Sequence, residues 1–205
     1  MSEPTYAATA DFTPDFEIGV NAERPRAAFL VCMPRFTNPA WLSMWLTTDF
    51  TAAFCDPTLQ GVPIDRLDDL RADRMTGIVD SRIGDHVEWV NEHPARKVLV
   101  RRSTQDIVEA SARLWGLDPK AFYDEAFLQA ELDAAAARDQ INADLIVEWN
   151  TFDSHLAEIW NVCTGGLPYD GARTDFLSQY RVEKSETAGG MPPSTTPHHY
   201  SLRRH

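Results

Sequence analysis

Five short apolar runs, each closed by polar or turn-forming residues, constrain this chain more than any other feature. They occupy residues 27–33 (AAFLVCM), 52–55 (AAFC), 76–81 (TGIVDS), 97–102 (KVLVRR) and 144–149 (DLIVEW). Residues 27–33 are almost entirely apolar, as expected of a strand buried on both faces. Between the runs lie segments with helical patterning. Short β-branched runs alternating with helices predict an α/β fold, with a single open, mostly parallel sheet of about five strands flanked by helices. At 205 residues the chain is long enough for one well-cored domain and short for two.

The intervening segments read as follows. Pro39 suits the first turn of a helix whose buried stripe is Trp41, Leu42, Trp45 and Leu46. Residues 64–74 carry helical charge patterning, and a helix over 83–93 stops before Pro94. Residues 104–115 are amphipathic, with Ile107, Val108, Ala110, Ser111 and Leu114 on one side. An Ala-rich helix is expected over 119–138, opened by Pro119. A further helix over 151–166 is expected to be capped at its start and ended by glycines, and a last one over 169–180. Residues 1–26 read as an extended lead-in and 27–184 as the α/β domain. The Gly-, Pro-, Ser- and Thr-rich stretch 185–205 reads as a disordered tail.

Charge and cysteine content narrow the function classes. A formal net charge of −12 disfavours non-specific binding to nucleic acid or an anionic membrane, so neither is expected as a partner. No apolar run approaches a membrane span and the N-terminal stretch lacks signal-peptide features, so a cytoplasmic location is expected. Cys32, Cys55 and Cys163 are odd in number and far apart, and no CxxC pair occurs; buried free thiols and no metal site are expected. His86 and His93 are expected at the surface.

In an open parallel sheet, ligands bind beyond the carboxyl ends of the strands, here residues 33–38, 55–56, 80–81 and 101–102. At the first, Arg35, Thr37 and Asn38 precede a helix whose first turn holds Pro39, Ala40 and Trp41. A cationic fork beside helix N–H groups suits a phosphate or sulfate. Alternatively, Arg35 pairs with one of the many acidic residues and the loop only turns. Arg101 and Arg102 form the densest basic spot, with Ser103 or Thr104 capping the next helix and Ser111 two turns along it. The alternative there is a strand end paired with Asp106 or Glu109. No Walker A sequence occurs, which disfavours an ordinary ATPase, GTPase or small-molecule kinase.

Together these segments resemble the sulfotransferase family, whose fold is related to the P-loop nucleotide-binding proteins. In that family the first strand ends in a pattern such as P-R/K-S-G-T-T-W-L, and a later strand ends in R-x-P-x-D before a serine-bearing helix. This chain has Pro34-Arg35-Phe36-Thr37-Asn38-Pro39-Ala40-Trp41-Leu42-Ser43 and Arg102-Ser103-Thr104-Gln105-Asp106. It is most similar to small phage and bacterial sulfotransferase-like proteins: Trp41-Leu42, Phe54-Cys55, Gly77 to Ser81, Arg101-Arg102, and "LIVEWNTF" before a helix and "GGLPYD". The resemblance spans residues 27–182.

The resemblance implies 3′-phosphoadenosine 5′-phosphosulfate as co-substrate and a hydroxyl or amine acceptor, small or macromolecular. It implies that Arg35, Thr37, Asn38, Ala40 and Trp41 hold the 5′-phosphosulfate and that Arg102 holds the 3′-phosphate. Ser111 stands one place beyond the usual partner serine, whose position holds Ala110. Transfer requires charge neutralisation, assigned to Arg35, and a base for the acceptor's proton. Asp56 and Asp80, both at strand ends, are the candidates; alternatively, Asp56-Pro57 starts a turn and Asp80 pairs with Arg82. The loop also departs from the family. It is one residue longer, Phe36 replaces a small serine, the glycine is missing, Pro39 removes an N–H, and no R-K-G segment follows. A relative that keeps the fold as a nucleotide-binding or interaction module is the alternative reading.

Overall fold

The computed structural model describes residues 26–35, 37, 39–114, 125–184 and 200–204. The five apolar runs become strands β1 (Phe29–Cys32), β2 (Thr51–Cys55), β3 (Met75–Asp80), β4 (Arg96–Arg101) and β5 (Leu145–Glu148). They form one open sheet in the order β2-β3-β1-β4-β5, and every pairing is parallel. The open, all-parallel five-strand sheet flanked by helices is as expected. The chain leaves β1 toward β2 and β3 on one side and later crosses to β4 and β5 on the other. The order therefore reverses between β1 and β4, which places a crevice where Arg35 and Arg102 leave their strands.

Strand alternation divides the core in two. Leu30 and Cys32 of β1, Ile78 of β3 and Leu99 of β4 share one face with Leu67, Ile83, Val90 and Ile141, and Phe54 packs at its margin. That face is covered by two short 3-10 segments, Ile64–Asp69 and Ile83–Asp85, and by α2 (Val87–Glu92). Phe29, Val31, Val79, Val98 and Val100 turn to the other face, against α1 (Pro39–Leu46) and a later helix over Leu156–Thr164. The remaining helices of this unit are α3 (Thr104–Leu114), α4 (Glu125–Arg138) and α5 (Leu156–Thr164). Among the described residues, no helix is long and apolar enough to cross a membrane.

Several segments differ from the sequence expectation. Residues 64–74 make only the 3-10 segment Ile64–Asp69, which buries Leu67, and the chain turns extended at Leu70, which is buried in the same core. The expected helix over 83–93 is broken at His86 into a 3-10 turn and α2. The segment 151–155 is 3-10 rather than α-helical, and α5 starts at Leu156 without a side-chain cap. Its end is as expected: Gly165 takes φ 70°, and Arg96 Nη2 donates to the Cys163 carbonyl at 3.0 Å. The expected start of the Ala-rich helix at Pro119, and the lead-in 1–25, lie outside the described residues.

The chain divides into two compact units after Tyr169, so the sheet unit ends earlier than residue 184. In the second unit, α6 (Gly171–Ser178) is capped by Asp170, whose side chain accepts from the Arg173 amide. Strands β6 (Tyr180–Lys184) and β7 (Tyr200–Arg204) then pair antiparallel. Residues 200–204, expected in a disordered tail, are therefore a strand; 185–199 and 205 lie outside the described residues. The Tyr-x-Val and Tyr-x-Leu alternation suits a ladder, a pattern that composition alone does not register.

Gly77 carries a specific packing requirement. It lies opposite Phe29 in the β1–β3 register, and a Cβ there would overlap the Phe29 ring. Gly77→Ala should therefore cost about 1–3 kcal/mol through overpacking, read as a lower denaturation midpoint. An unchanged midpoint would mean that the ring has another place to go.

Candidate functional site

The carboxyl edge of the sheet is organised by two buried aspartates. Asp80, at the end of β3, is fully buried, and its carboxylate accepts four hydrogen bonds. Thr58 donates its amide to Oδ2 at 2.8 Å and its hydroxyl to Oδ1 at 2.6 Å. The Arg82 and Ile83 amides donate to Oδ1 at 2.7 and 2.8 Å. One side chain thus ties the β2 loop to the turn after β3. The pairing of Asp80 with the Arg82 side chain, considered above, is replaced by a bond to that residue's backbone.

Asp56 follows β2 and is also buried, but it is differently occupied. Its backbone sits at φ 46°, a left-handed position that Asp and Asn tolerate better than most residues. Oδ1 accepts the Ser81 amide at 2.6 Å. Burial pushes the carboxyl up to about 6, and neighbouring Asp80 adds to this, while the bonds from Ser81 and the charge of Arg82 oppose it. A buried carboxyl titrating near neutrality at a sheet's carboxyl edge can take a proton from a bound hydroxyl.

Arg35, leaving β1, is held by two carboxylates. Nη1 donates to Glu131 Oε1 at 2.8 Å and Nη2 to Asp85 Oδ2 at 3.2 Å. Arg138, at the end of α4, faces the same two acids, with Nη1 3.5 Å from Asp85 Oδ1 and Nη2 3.8 Å from Glu131 Oε2. Two arginines and two acids thus form a closed ring beside the end of β1. The acidic partner that the sequence offers as the alternative for Arg35 is present, as Glu131 and Asp85, but the sequence points to neither of these nor to Arg138. Only the helix periodicity of 125–138, which sets Glu131 and Arg138 two turns apart, hinted at a shared face.

The rest of the β1 loop is partly described. The Thr37 hydroxyl donates to the Pro34 carbonyl at 2.6 Å, which folds the loop back on itself. Asn38 and Phe36 lie outside the described residues. Pro39 and Ala40 are buried in the first turn of α1. Trp41, half-buried, stacks on Trp45 with centroids 5.9 Å apart, and Trp45 meets Trp160 edge-on at 5.4 Å.

At the end of β4 the two arginines part, as alternation requires. Arg101 Nε lies 2.8 Å from Asp139 Oδ1, and the Arg102 guanidinium lies over Trp149, 5.5 Å from the ring centroid. Ser103 Oγ accepts the Asp106 amide at 3.1 Å and caps α3. Ser111 is buried on α3.

The histidines and cysteines stand apart from this edge or beneath it. His86 is exposed as expected, but His93 is buried. Its Nδ1 accepts the Ala95 amide at 3.1 Å while Nε2 lies 2.8 Å from Asp68 Oδ1. The accepting Nδ1 makes Nε2–H the donor to Asp68, so both ring nitrogens are engaged in the fold. All three cysteines are free, with Cys32 and Cys163 buried and Cys55 half-buried. Burial pushes Cys32 and Cys55 up to about 12 and raises Cys163 as well, which keeps these thiols protonated.

No family model matches the chain, and no curated protein matches it. Among solved structures, it is similar to a sulfotransferase from Alicyclobacillus acidocaldarius, with TM-score 0.43 and 11% identity over 76% of this chain and 91% of that one.

The raised Asp56 carboxyl has a measurable consequence. Its folded value near 6 exceeds the ordinary 3.8, so its ionisation opposes folding. The stability of the protonated form is fully present below the ordinary value and is lost as pH rises toward 6. Asp56→Asn, which keeps the acceptor and the left-handed preference, should therefore gain on the wild type by on the order of 2–3 kcal/mol between about pH 4 and pH 7. Denaturant melts of both proteins across that range provide the check; a pH-independent difference would mean that Asp56 titrates normally.

Proposed function

We propose that this protein is a sulfotransferase-like transferase, moving a sulfuryl group from 3′-phosphoadenosine 5′-phosphosulfate to a hydroxyl or amine of a small or macromolecular acceptor. The observation that carries the proposal is the buried Asp56 carboxyl, pushed up to about 6, on the same sheet edge as the arginines of the β1 and β4 ends. One strand, β3, separates β2 from β1, so Asp56 and the Arg35 loop start about 10 Å apart.

In this reading the acceptor's O–H or N–H proton passes to the Asp56 carboxylate as the heteroatom bonds to sulfur. The bond from sulfur to the 5′-phosphate oxygen breaks, and 3′-phosphoadenosine 5′-phosphate leaves with that electron pair. Arg35 and the first-turn amides of α1, at Ala40 and Trp41, with Thr37 and Asn38, neutralise the phosphosulfate. Arg102, with Ser111 on the next helix, holds the 3′-phosphate. Asp80 serves as the tie that keeps Asp56 and its loop in place rather than as the base, since four donors already occupy its oxygens.

A second reading, a non-catalytic relative, is favoured by one observation: Arg35 is already bound by Glu131 and Asp85. Calorimetry with 3′-phosphoadenosine 5′-phosphate, alongside its analogue lacking the 3′-phosphate, separates the two. The transferase reading expects binding of the first and weaker binding of the second. Arg102→Ala should cost roughly ten- to a hundredfold in affinity, and Arg102→Lys should recover only part because a point charge lacks the guanidinium fork. Binding of neither ligand would leave the non-catalytic reading standing.

A further inference from the structure

The ring formed by Arg35, Glu131, Arg138 and Asp85 is poorly built as a stabilising element. The Glu131 side chain is 1% exposed and that of Arg138 7%, so two charges have been taken almost wholly out of water. Buried ion pairs offset that cost only when every lone pair and proton is satisfied. Here Glu131 Oε2 and Arg35 Nε are buried without a hydrogen-bond partner among the described residues, and both Arg138 contacts are long, at 3.5 and 3.8 Å. The chain nevertheless makes room for Arg138. A Cβ at Gly84 would stand 2.9 Å from its Cδ and 3.0 Å from its Cγ, so glycine is what lets the arginine stem lie across the turn after β3.

We propose that Arg35 and Arg138 together form the anion site of the β1 edge, and that Glu131 and Asp85 fill it in the ligand-free protein. The ligand class is a diphosphate-like or phosphosulfate-like group, with several oxygens and at least two negative charges. Such a group can replace both carboxylates and satisfy the guanidinium protons that they leave unpaired. Entry requires Glu131 to withdraw, and since Glu131 is set in the middle of α4, the helix shifts with it. Arg35 alone, one-third exposed and doubly paired, would offer an incoming dianion no net positive charge. Arg138 supplies the missing cation once the acids are displaced. The inference rests on the reading of this edge as an anion-ester site and adds to it a binding residue and a resident competitor.

Two probes, inorganic pyrophosphate and 3′-phosphoadenosine 5′-phosphate, test it by titration against the full chain and four variants. Glu131→Gln should tighten pyrophosphate at least tenfold, and adding Arg138→Ala to that variant should abolish the gain. Asp85→Asn, at a more accessible position, should tighten it severalfold and keeps the test alive if Glu131→Gln fails to fold. Arg138→Ala alone should weaken whatever binding the wild type has. Hydrogen exchange across α4 should quicken when saturating pyrophosphate is added, which a purely structural ion ring does not predict. Failure of both acid variants to bind pyrophosphate better than wild type overturns the proposal, as does a gain that survives loss of Arg138. Pyrophosphate bound through Arg35 and Arg138 while the nucleotide binds nowhere would uphold the anion site and remove the sulfotransferase reading instead.

Discussion

The carboxyl edge of the sheet depends on the buried carboxylate of Asp80. Its bonds to Thr58 fix the loop that follows β2, and its bonds to Arg82 and Ile83 fix the turn that follows β3. A buried charge without such donors would be costly, whereas charge-assisted bonds from backbone amides are among the stronger ones available. What depends on this carboxylate extends beyond its contacts. The turn it holds places Ser81 to donate to Asp56, Gly84 to admit Arg138, and Asp85 to face both arginines. The candidate base and the candidate anion site are therefore supported by the same side chain.

This arrangement explains how two aspartates at neighbouring strand ends come to differ. Asp80 is surrounded by donors, which leaves none of its oxygens free of a bond. Asp56 accepts the Ser81 amide but pays for its burial with a carboxyl pushed up to about 6, partly because Asp80 stands nearby. A carboxyl pushed up by burial at a sheet edge is a candidate for acid–base work. Here the division follows from backbone geometry: the left-handed turn at Asp56 aims its side chain back over β3, toward the amide after Asp80.

The central strands were legible because burial on both faces leaves an unbroken apolar signature, and α1 was legible from Pro39 and its apolar stripe. Arg35 and Arg102 stand out in the sequence because strand ends are where open parallel sheets place ligands. What sequence could not give was the partner of each charge. Glu131 and Arg138 come from a helix some hundred residues after Arg35, with 96 positions separating Arg35 from Glu131. Nothing local signals such a contact. His93 was misjudged for a similar reason. Its position before Pro94 suggests an exposed helix end, yet Asp68, from a distant 3-10 segment, satisfies it in the core. Charge patterning at spacing three and four suits a 3-10 segment as well as an α-helix, and over 64–70 the buried Leu67 and Leu70 are three apart.

An acidic protein that binds an acidic ligand must solve a problem of competition. With a net charge of −12, each arginine at the edge is within reach of carboxylates or aromatic faces belonging to the protein itself. Arg35 has Glu131 and Asp85, Arg101 has Asp139, and Arg102 lies over Trp149. Internal partners have an advantage over a dissolved ligand because no translational freedom is lost when they engage. Only a ligand that offers more charge and more acceptor atoms than the resident carboxylates can displace them. On the proposed reading of the edge, the buried acids would exclude monoanions such as acetate or chloride and yield to a polyanionic ester. Because Glu131 Oε2 and Arg35 Nε make no hydrogen bond among the described residues, that exchange would forfeit less than the opening of a fully satisfied ring.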